Sequence, residues 1–323
     1  MLRYLIRRLA LSLVTLLIVC TIVFTIVNVL PGNLAQRLVG GRAEPELIAA
    51  KEEELGLNDP LLDRFGRTIK SAVTLDFGDS VLQKRPVSDI LTDALFRSGK
   101  LALYALVLTI PASIFAGIFA ARRRDTFADR TIVTLGLASS SIPDFVSGVI
   151  LQTIVFQVLN QGLGITFLPV ITTIPKDASS LTQLRYLTLP AVALAVVYFG
   201  YIARMARAGM IKALDADFTR TATMKGLSPG RVIRGHVMRN GLQPTVSVVG
   251  TQVGYLFGSL VALEIVFNYP GLGSTIANAS SKGDLPLLVG GVILVALIYM
   301  AATLTADLVL AWMNPRSRAE LTR

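Results

Sequence analysis

Charge is scarce in this chain, as are the residue types that build soluble catalytic or metal sites. Of its 323 residues, 16% are Asp, Glu, Lys or Arg, where a soluble domain carries about a quarter. One cysteine, Cys20, excludes an intrachain disulfide and leaves the redox compartment unreadable. With one histidine, His236, beside it, a structural zinc site lacks ligands. No G-x-x-x-x-G-K-[ST] exists: Gly99-Lys100 is followed by Leu101, and Ala94 stands where the first glycine belongs. His236 precedes Val237, so H-E-x-x-H is absent too. An intramembrane enzyme would find neither a nucleophile–base pair nor a metal constellation. Catalytic residues: none. Internal repeats and low-complexity tracts are also missing.

What is present is long apolar runs. Hydrophobic residues make up 53% of the chain and the mean hydropathy is +0.62, so lipid is its main solvent. A hydrocarbon core needs about 20 apolar helical residues. Six runs meet that length: Leu9–Leu30, Leu101–Ala121, Ile132–Leu159, Leu187–Ala208, Val246–Phe267 and Leu285–Met313. Pro143 interrupts the third, where a kink is expected. The first run follows Arg3, Arg7 and Arg8, exceeds a signal-peptide core of roughly 7–15 residues, and is closed by no A-x-A site. It reads as a retained helix.

The formal charge is +10, and its placement sets the orientation. With both termini cytoplasmic, the inner pieces hold eighteen of the basic residues, while two short outer loops hold only Lys176, Arg185 and Lys282. No soluble basic face with interleaved aromatics exists, which argues against a nucleic-acid partner. The segment 31–100 after the first span is expected outside. PELIAAKEEELGL (Pro45–Leu57) reads as a short helix, with Pro45 at its start and Gly56 as its stop. Turn chemistry follows at Asn58-Asp59-Pro60 and Phe77-Gly78-Asp79. This segment is either a surface cap or a platform for an extracytoplasmic partner.

The stretch from Asp217 to Pro244 lies between two membrane-length runs, inside the expected loop 209–244. Asp217 is expected to cap a helix ending at Lys225, with Gly226 as its left-handed stop. Ser228-Pro229 then opens a second helix running toward Pro244. Phe218, Ala222 and Leu227 stand out as apolar residues in a charged, water-facing loop with no core of its own. A short helix is marginal in water, so the loop is read either as a docking element for a partner or as a connector lying in the headgroups.

The stretch RTATMKGLSPGRVIRGHVMRNGLQP resembles the cytoplasmic signature of binding-protein-dependent ABC importer permeases, and more closely the dipeptide/oligopeptide/nickel branch. That branch has Arg-Thr-Ala, Lys-Gly-Leu, a His, Arg-Asn and a Pro. Here stand Arg220-Thr221-Ala222, Lys225-Gly226-Leu227, His236, Arg239-Asn240 and Pro244. Other matching blocks follow in order: LPG (Leu30–Gly32), LGLNDP (Leu55–Pro60), DFGDS (Asp76–Ser80), ALEIVFNYPGLG (Ala262–Gly273) and NPRSR (Asn314–Arg318). Departures are Arg220-Thr221-Ala222 for the generic Glu-Ala-Ala, Asn33-Leu34 for Asp-Pro, and Asn314 for Asp.

The resemblance implies an all-α integral membrane protein of type I importer architecture. It has six transmembrane helices, cytoplasmic termini and an extracytoplasmic insertion after the first helix. Helix 1 occupies 1–30, the insertion 31–100, and the five-helix permease core 101–323. It further implies a bacterial inner-membrane subunit that forms half of a path for di- and oligopeptides. The partners implied are a second permease, two ATPases or a fused pair, and an extracytoplasmic binding protein. No cofactor belongs to this chain, ATP and magnesium being bound by the ATPases. Asp217, Phe218, Arg220, Thr221, Ala222, Lys225, Gly226 and Leu227 correspond to the piece that couples to those ATPases.

Within the spans, Gly250, Gly254 and Gly258 form a G-x-x-x-G-x-x-x-G face suited to close helix packing or to lining a path. Asp144, Glu264 and Asp307 lie within or at the rims of spans, where a charge is costly, and are candidates to face the bundle or a water-filled cavity. Glu264 is also a candidate to meet a peptide amino terminus. The competing function is a self-contained secondary transporter or channel. It would call for inverted repeats and an intramembrane proton relay, and neither is evident.

Overall fold

The computed structural model describes residues 2–29, 44–54, 56, 58–175 and 177–313. The described residues are almost all helical, with no β-strand beyond an isolated bridge between Asp79 and Pro86. Helix α1 spans Leu2–Val29, α2 Pro45–Glu54, α3 Leu61–Thr74, α4 Val87–Arg122, α5 Phe127–Ser140, α6 Asp144–Ile154 and α7 Ser180–Leu214. Then come α8 Asp217–Met224, α9 Pro229–Val232, α10 Met238–Gly241, α11 Gln243–Val266, α12 Leu272–Lys282 and α13 Leu285–Met313. Leu30–Gly32, Asn33-Leu34, Leu55, Leu57, Lys176, Asn314–Arg318 and Arg323 lie outside the described residues.

Six of these helical stretches are long and apolar enough to cross a bilayer: Ile6–Ile26, Val87–Arg122, Asp144–Gly162, Ser180–Leu214, Gln243–Val266 and Leu285–Val309. The number agrees with the sequence reading; the third span needs correction. Pro143 does not kink one helix but separates two. α5 ends at Ser140, and α6 restarts at Asp144 directly after Pro143. Proline cannot donate to the ladder, and it pushes the preceding residue out of the helical region. The span continues past Ile154 as a π-helical run, Val155–Gly162.

The chain divides into two compact units. The first comprises 99–269 and 301–323, and its axis is α7. Leu187, Leu194, Tyr198 and Ile202 of that helix form a core with Leu256, Leu260, Leu263 and Phe267 from α11 and the residue after it. The rest of the buried face of α7 is small: Ala191, Ala193, Ala203, Ala206 and Ala213 are all at most 5% exposed. Small side chains let backbones touch. A Cβ on Gly200 would overlap the Gly136 carbonyl of α5, and one on Gly209 would overlap the Gly241 carbonyl of α10.

Pro190, inside α7, leaves the Tyr186 carbonyl without its helical donor. Thr172, fully buried, donates its hydroxyl to that carbonyl at 3.3 Å, while its N–H donates to the Phe267 carbonyl at 2.8 Å. Gln152 of α6 donates its amide to the carbonyls of Val170 (2.9 Å) and Val266 (3.2 Å). Non-helical backbone at membrane depth is tolerated where protein satisfies it in this way.

The second unit comprises 2–98 and 270–300. Its α2 and the left-handed Gly56 (φ +60°) match the expected short helix and stop. α3 was not anticipated. It carries a helical stripe through Phe65 and Ala72, and Phe65 meets Phe24 of α1 edge-on with centroids 5.3 Å apart. Asp284, 1% exposed, caps α13 and accepts the Ser80 hydroxyl at 2.5 Å and the Val81 and Leu82 N–H groups at 3.3 and 3.4 Å. Cys20 is buried with Leu16, Ala72 and Ile293.

The glycine contact in the first unit gives a direct test. Gly200→Leu should cost about 3 kcal/mol by overpacking and lower the thermal midpoint of the purified protein. Gly230→Ala, where an added Cβ meets nothing within 4 Å, should not lower it.

Candidate functional site

The loop between α7 and α11 is a folded piece anchored on the end of α7. Helix ends leave carbonyls without partners. Here the Thr219 hydroxyl, in the first turn of α8, donates to the Ala213 carbonyl at 2.6 Å. Two residues separate Leu214 from Asp217, so α8 starts almost where α7 stops. The end of α8 closes by a paired motif: Leu227 N–H donates to the Ala222 carbonyl (3.4 Å) and Gly226 N–H to that of Thr223 (3.0 Å). Gly226 has φ +76°, the left-handed conformation this closure requires.

The structure corrects three expectations here. The loop does have a core: Ala222, Val232 and Val237 are buried with Met210, Ala213 and Ala121, and Leu227 packs against them. Ala222 and Leu227 therefore face inward rather than presenting apolar surface to a partner. Asp217 is the first helical residue, and Ala216 occupies the cap position without a side-chain hydrogen bond. The second helix is not regular. α9 passes into a π-helical run at Ile233–Val237 and then α10, before Leu242 leads into α11.

What α8 does expose is Asp217, Phe218, Arg220, Thr221, Thr223, Met224 and Lys225. Phe218 is 40% exposed and Met224 79%. Met224 was missed in the sequence, where its place between Thr223 and Lys225 gave no periodic signal. The outer face of α8 thus combines two large apolar side chains with two cations.

A second missed feature lies beside it. Arg207 of α7 donates two parallel hydrogen bonds to Asp129 of α5, Nε to Oδ1 at 2.5 Å and Nη2 to Oδ2 at 2.6 Å. Asp129 is 3% exposed and also accepts the Asp125 N–H at 2.9 Å. Bidentate guanidinium–carboxylate pairs are strong and fix geometry. The Arg207 hydrogen bonds, more than any other influence, hold the Asp129 carboxyl below its ordinary value of 3.8. Their partners are 78 residues apart, so no local pattern betrays them.

Within the spans, the glycine face divides. A Cβ on Gly250 would overlap the Ala306 side chain of α13; Gly254 is buried; Gly258 is exposed, with nothing within 4 Å of an added Cβ. Glu264 is fully buried, which places it in the packed interior rather than on an open wall. Asp144 opens α6, half-buried, against the Ser259 hydroxyl of α11. Ser259 also meets Tyr198 of α7, oxygen to oxygen, at 2.9 Å. Next to this group α11 exposes Ser247, Thr251, Tyr255 and Gly258 along one side. Its leucines face α7. Among the described residues no group of three His, Cys, Asp or Glu could hold a metal ion.

Six membrane-length helices and a folded loop on the end of one of them describe a multi-pass membrane protein. Residues 113–319 match the family of binding-protein-dependent transport system inner membrane components, and residues 1–96 match the N-terminal model for the membrane component of such systems. The chain belongs to this family: it is a multi-pass bacterial inner-membrane permease subunit of an ABC importer, in which separate ATPase subunits hydrolyse ATP. Its relatives run the length of the chain. It is 32% identical to the dipeptide transport system permease protein DppB of Alkalihalophilus pseudofirmus, over 98% of this chain and 99% of that one. Identity is 33% to the glutathione transport system permease protein GsiC of Escherichia coli K12, with the same shares covered. A putative peptide transport system permease protein of Brucella abortus is 34% identical, over 97% of this chain and 98% of its own.

The Asp129–Arg207 pair yields a prediction with a defined sign. The native carboxyl titrates below its unfolded value, so the stabilisation is complete above about pH 4 and is lost as pH falls through the depressed native value. Asp129→Asn should cost about 2 kcal/mol at neutral pH. The gap between wild type and variant in thermal midpoint should narrow as the buffer is taken below about pH 4.

Proposed function

We propose that this permease forms half of a translocation path for di- and oligopeptides, its other half supplied by a second, different permease. Both termini are placed in the cytoplasm and the segment 31–100 outside, facing the binding protein that delivers cargo. Two ATPase subunits, separate or fused, bind ATP and magnesium and clasp the loop 215–230. The single observation that carries the coupling role is α8: a short helix pinned to the end of a membrane helix, presenting Phe218 and Met224 flanked by Arg220 and Lys225. Apolar anchors rimmed by charge suit a groove on a soluble partner. ATPase closure then moves α8 and tilts α7 and α11, and the joint to α7 is made by Thr219, Ala222 and Leu227.

The peptide reading rests on what the relatives are named for. α11 adds a physical reason for a path beside it. Its leucines are buried on α7, while Ser247, Thr251 and Tyr255 look outward. A polar stripe on a membrane helix is unfavourable against lipid, and so belongs against a partner permease or a water-filled passage. Asp144, at the edge of that stripe, is suited to attract the ammonium group of a peptide.

Two experiments test this. Phe218→Asp with Met224→Asp should leave membrane insertion intact and abolish co-purification of the ATPases and transport. Gly226→Val should do the same by straining the left-handed turn, at about 1–2 kcal/mol, with Gly226→Asn milder. Normal ATPase retention in the double variant would remove the coupling assignment. For the path, Asp144→Asn in the reconstituted complete importer should reduce uptake of a lysine-containing tripeptide on the order of tenfold, and uptake of its N-acetylated, lysine-free counterpart far less. Equal reductions would take Asp144 off the path.

A further inference from the structure

Where α11 meets the segment before it, the first unit contains a cavity of about 350 Å³. One wall is apolar, built by Ile110 and Ile114 of α4 with Val246 and Val249 of α11. Arg234 and Arg239 also line it. In a regular α-helix residues five apart point about 140° away from each other. Here the π-helical run Ile233–Val237 intervenes, and its i→i+5 repeat brings both arginines to the lining of one cavity. Both arginines are exposed, and neither has a carboxylate within ion-pair distance among the described residues.

Thr245 completes the lining. It is fully buried, and its hydroxyl has no hydrogen-bond partner among the described residues. Threonines elsewhere in these helices, such as Thr109, return theirs to the carbonyl four residues back. An unmet buried hydroxyl is costly unless a ligand satisfies it.

We propose that this cavity binds an anionic phospholipid. The phosphodiester bridges Arg234 and Arg239, Thr245 donates to a headgroup or glycerol oxygen, and the acyl chain lies along Ile110, Ile114, Val246 and Val249. Charge and apolarity together select this occupant. A free phosphate would leave the apolar wall wet, and a neutral apolar molecule would leave two arginines unmatched. The height is right as well. Arg239 precedes the first residue of α11 by four positions, about 6 Å along a helix, which is the headgroup level of a spanning helix. Basic pockets between membrane helices hold acidic headgroups in this manner. The inference requires only that α11 crosses the bilayer, and it stands apart from the cargo and from the coupling role.

Native mass spectrometry of the full-length permease tests it, with equimolar phosphatidylglycerol and phosphatidylcholine as probes. Wild type should retain phosphatidylglycerol over phosphatidylcholine on the order of tenfold, and R234Q/R239Q should bring the ratio near unity. Val246→Trp, which fills the groove without touching the charges, should also deplete bound phosphatidylglycerol. It decides the matter if the double variant fails to insert. An unchanged ratio in R234Q/R239Q would overturn the proposal, as would undiminished phosphatidylglycerol in Val246→Trp. Complete displacement of the lipid by millimolar inorganic phosphate would also overturn it, because the site would then be one for a small anion.

Discussion

The first unit depends on helices touching backbone to backbone along α7. In lipid, apolar side chains gain nothing by leaving solvent for a neighbouring helix, so association comes from close packing and hydrogen bonds. α7 meets that requirement with a face of alanines and glycines, and α5 and α10 approach until Gly136 and Gly241 lie against Gly200 and Gly209. Such contacts have no slack. A helix held this way moves as a body with its neighbours or not at all, which is the property a transmitting element needs.

Hydrogen bonds fix what close packing leaves free. Thr172 replaces the donor that Pro190 lacks and ties the end of α11 into the same place. Arg207 and Asp129 lock α7 to α5 near the loop, and Thr219 fastens α8 to the last turn of α7. Each bond satisfies a group that would otherwise be buried without a partner. Under the proposed coupling role, a push on Phe218 and Met224 reaches α7 through a capped helix, a small apolar core and one hydroxyl, with no flexible linker between.

Much of this was legible in the sequence because lipid imposes long apolar runs and glycine marks turns. The six spans follow from run length, and the stop at Gly226 from its residue type. What was not legible depends on tertiary partners. Ala222 and Leu227 looked like exposed apolar residues until Met210 and Ala213 supplied a core for them. Pro143 looked like a kink, but the chain breaks there into α5 and α6. The Arg207–Asp129 pair spans too many residues for any periodicity, and α3 hides its apolar stripe among charges. The glycine repeat of α11 read as one face, yet only Gly250 and Gly254 are packed while Gly258 is open.

Cys20, the single cysteine of the chain, is 2% exposed. Thiolate chemistry needs access as much as ionisation, so this sulfur is shielded from maleimides and nitroxide reagents. The native permease is therefore already a near-silent background for spectroscopy. A cysteine placed at an exposed position of α8 would carry the only reactive label, and distances to a second probe could be followed through a transport cycle without first stripping the protein of its own thiol.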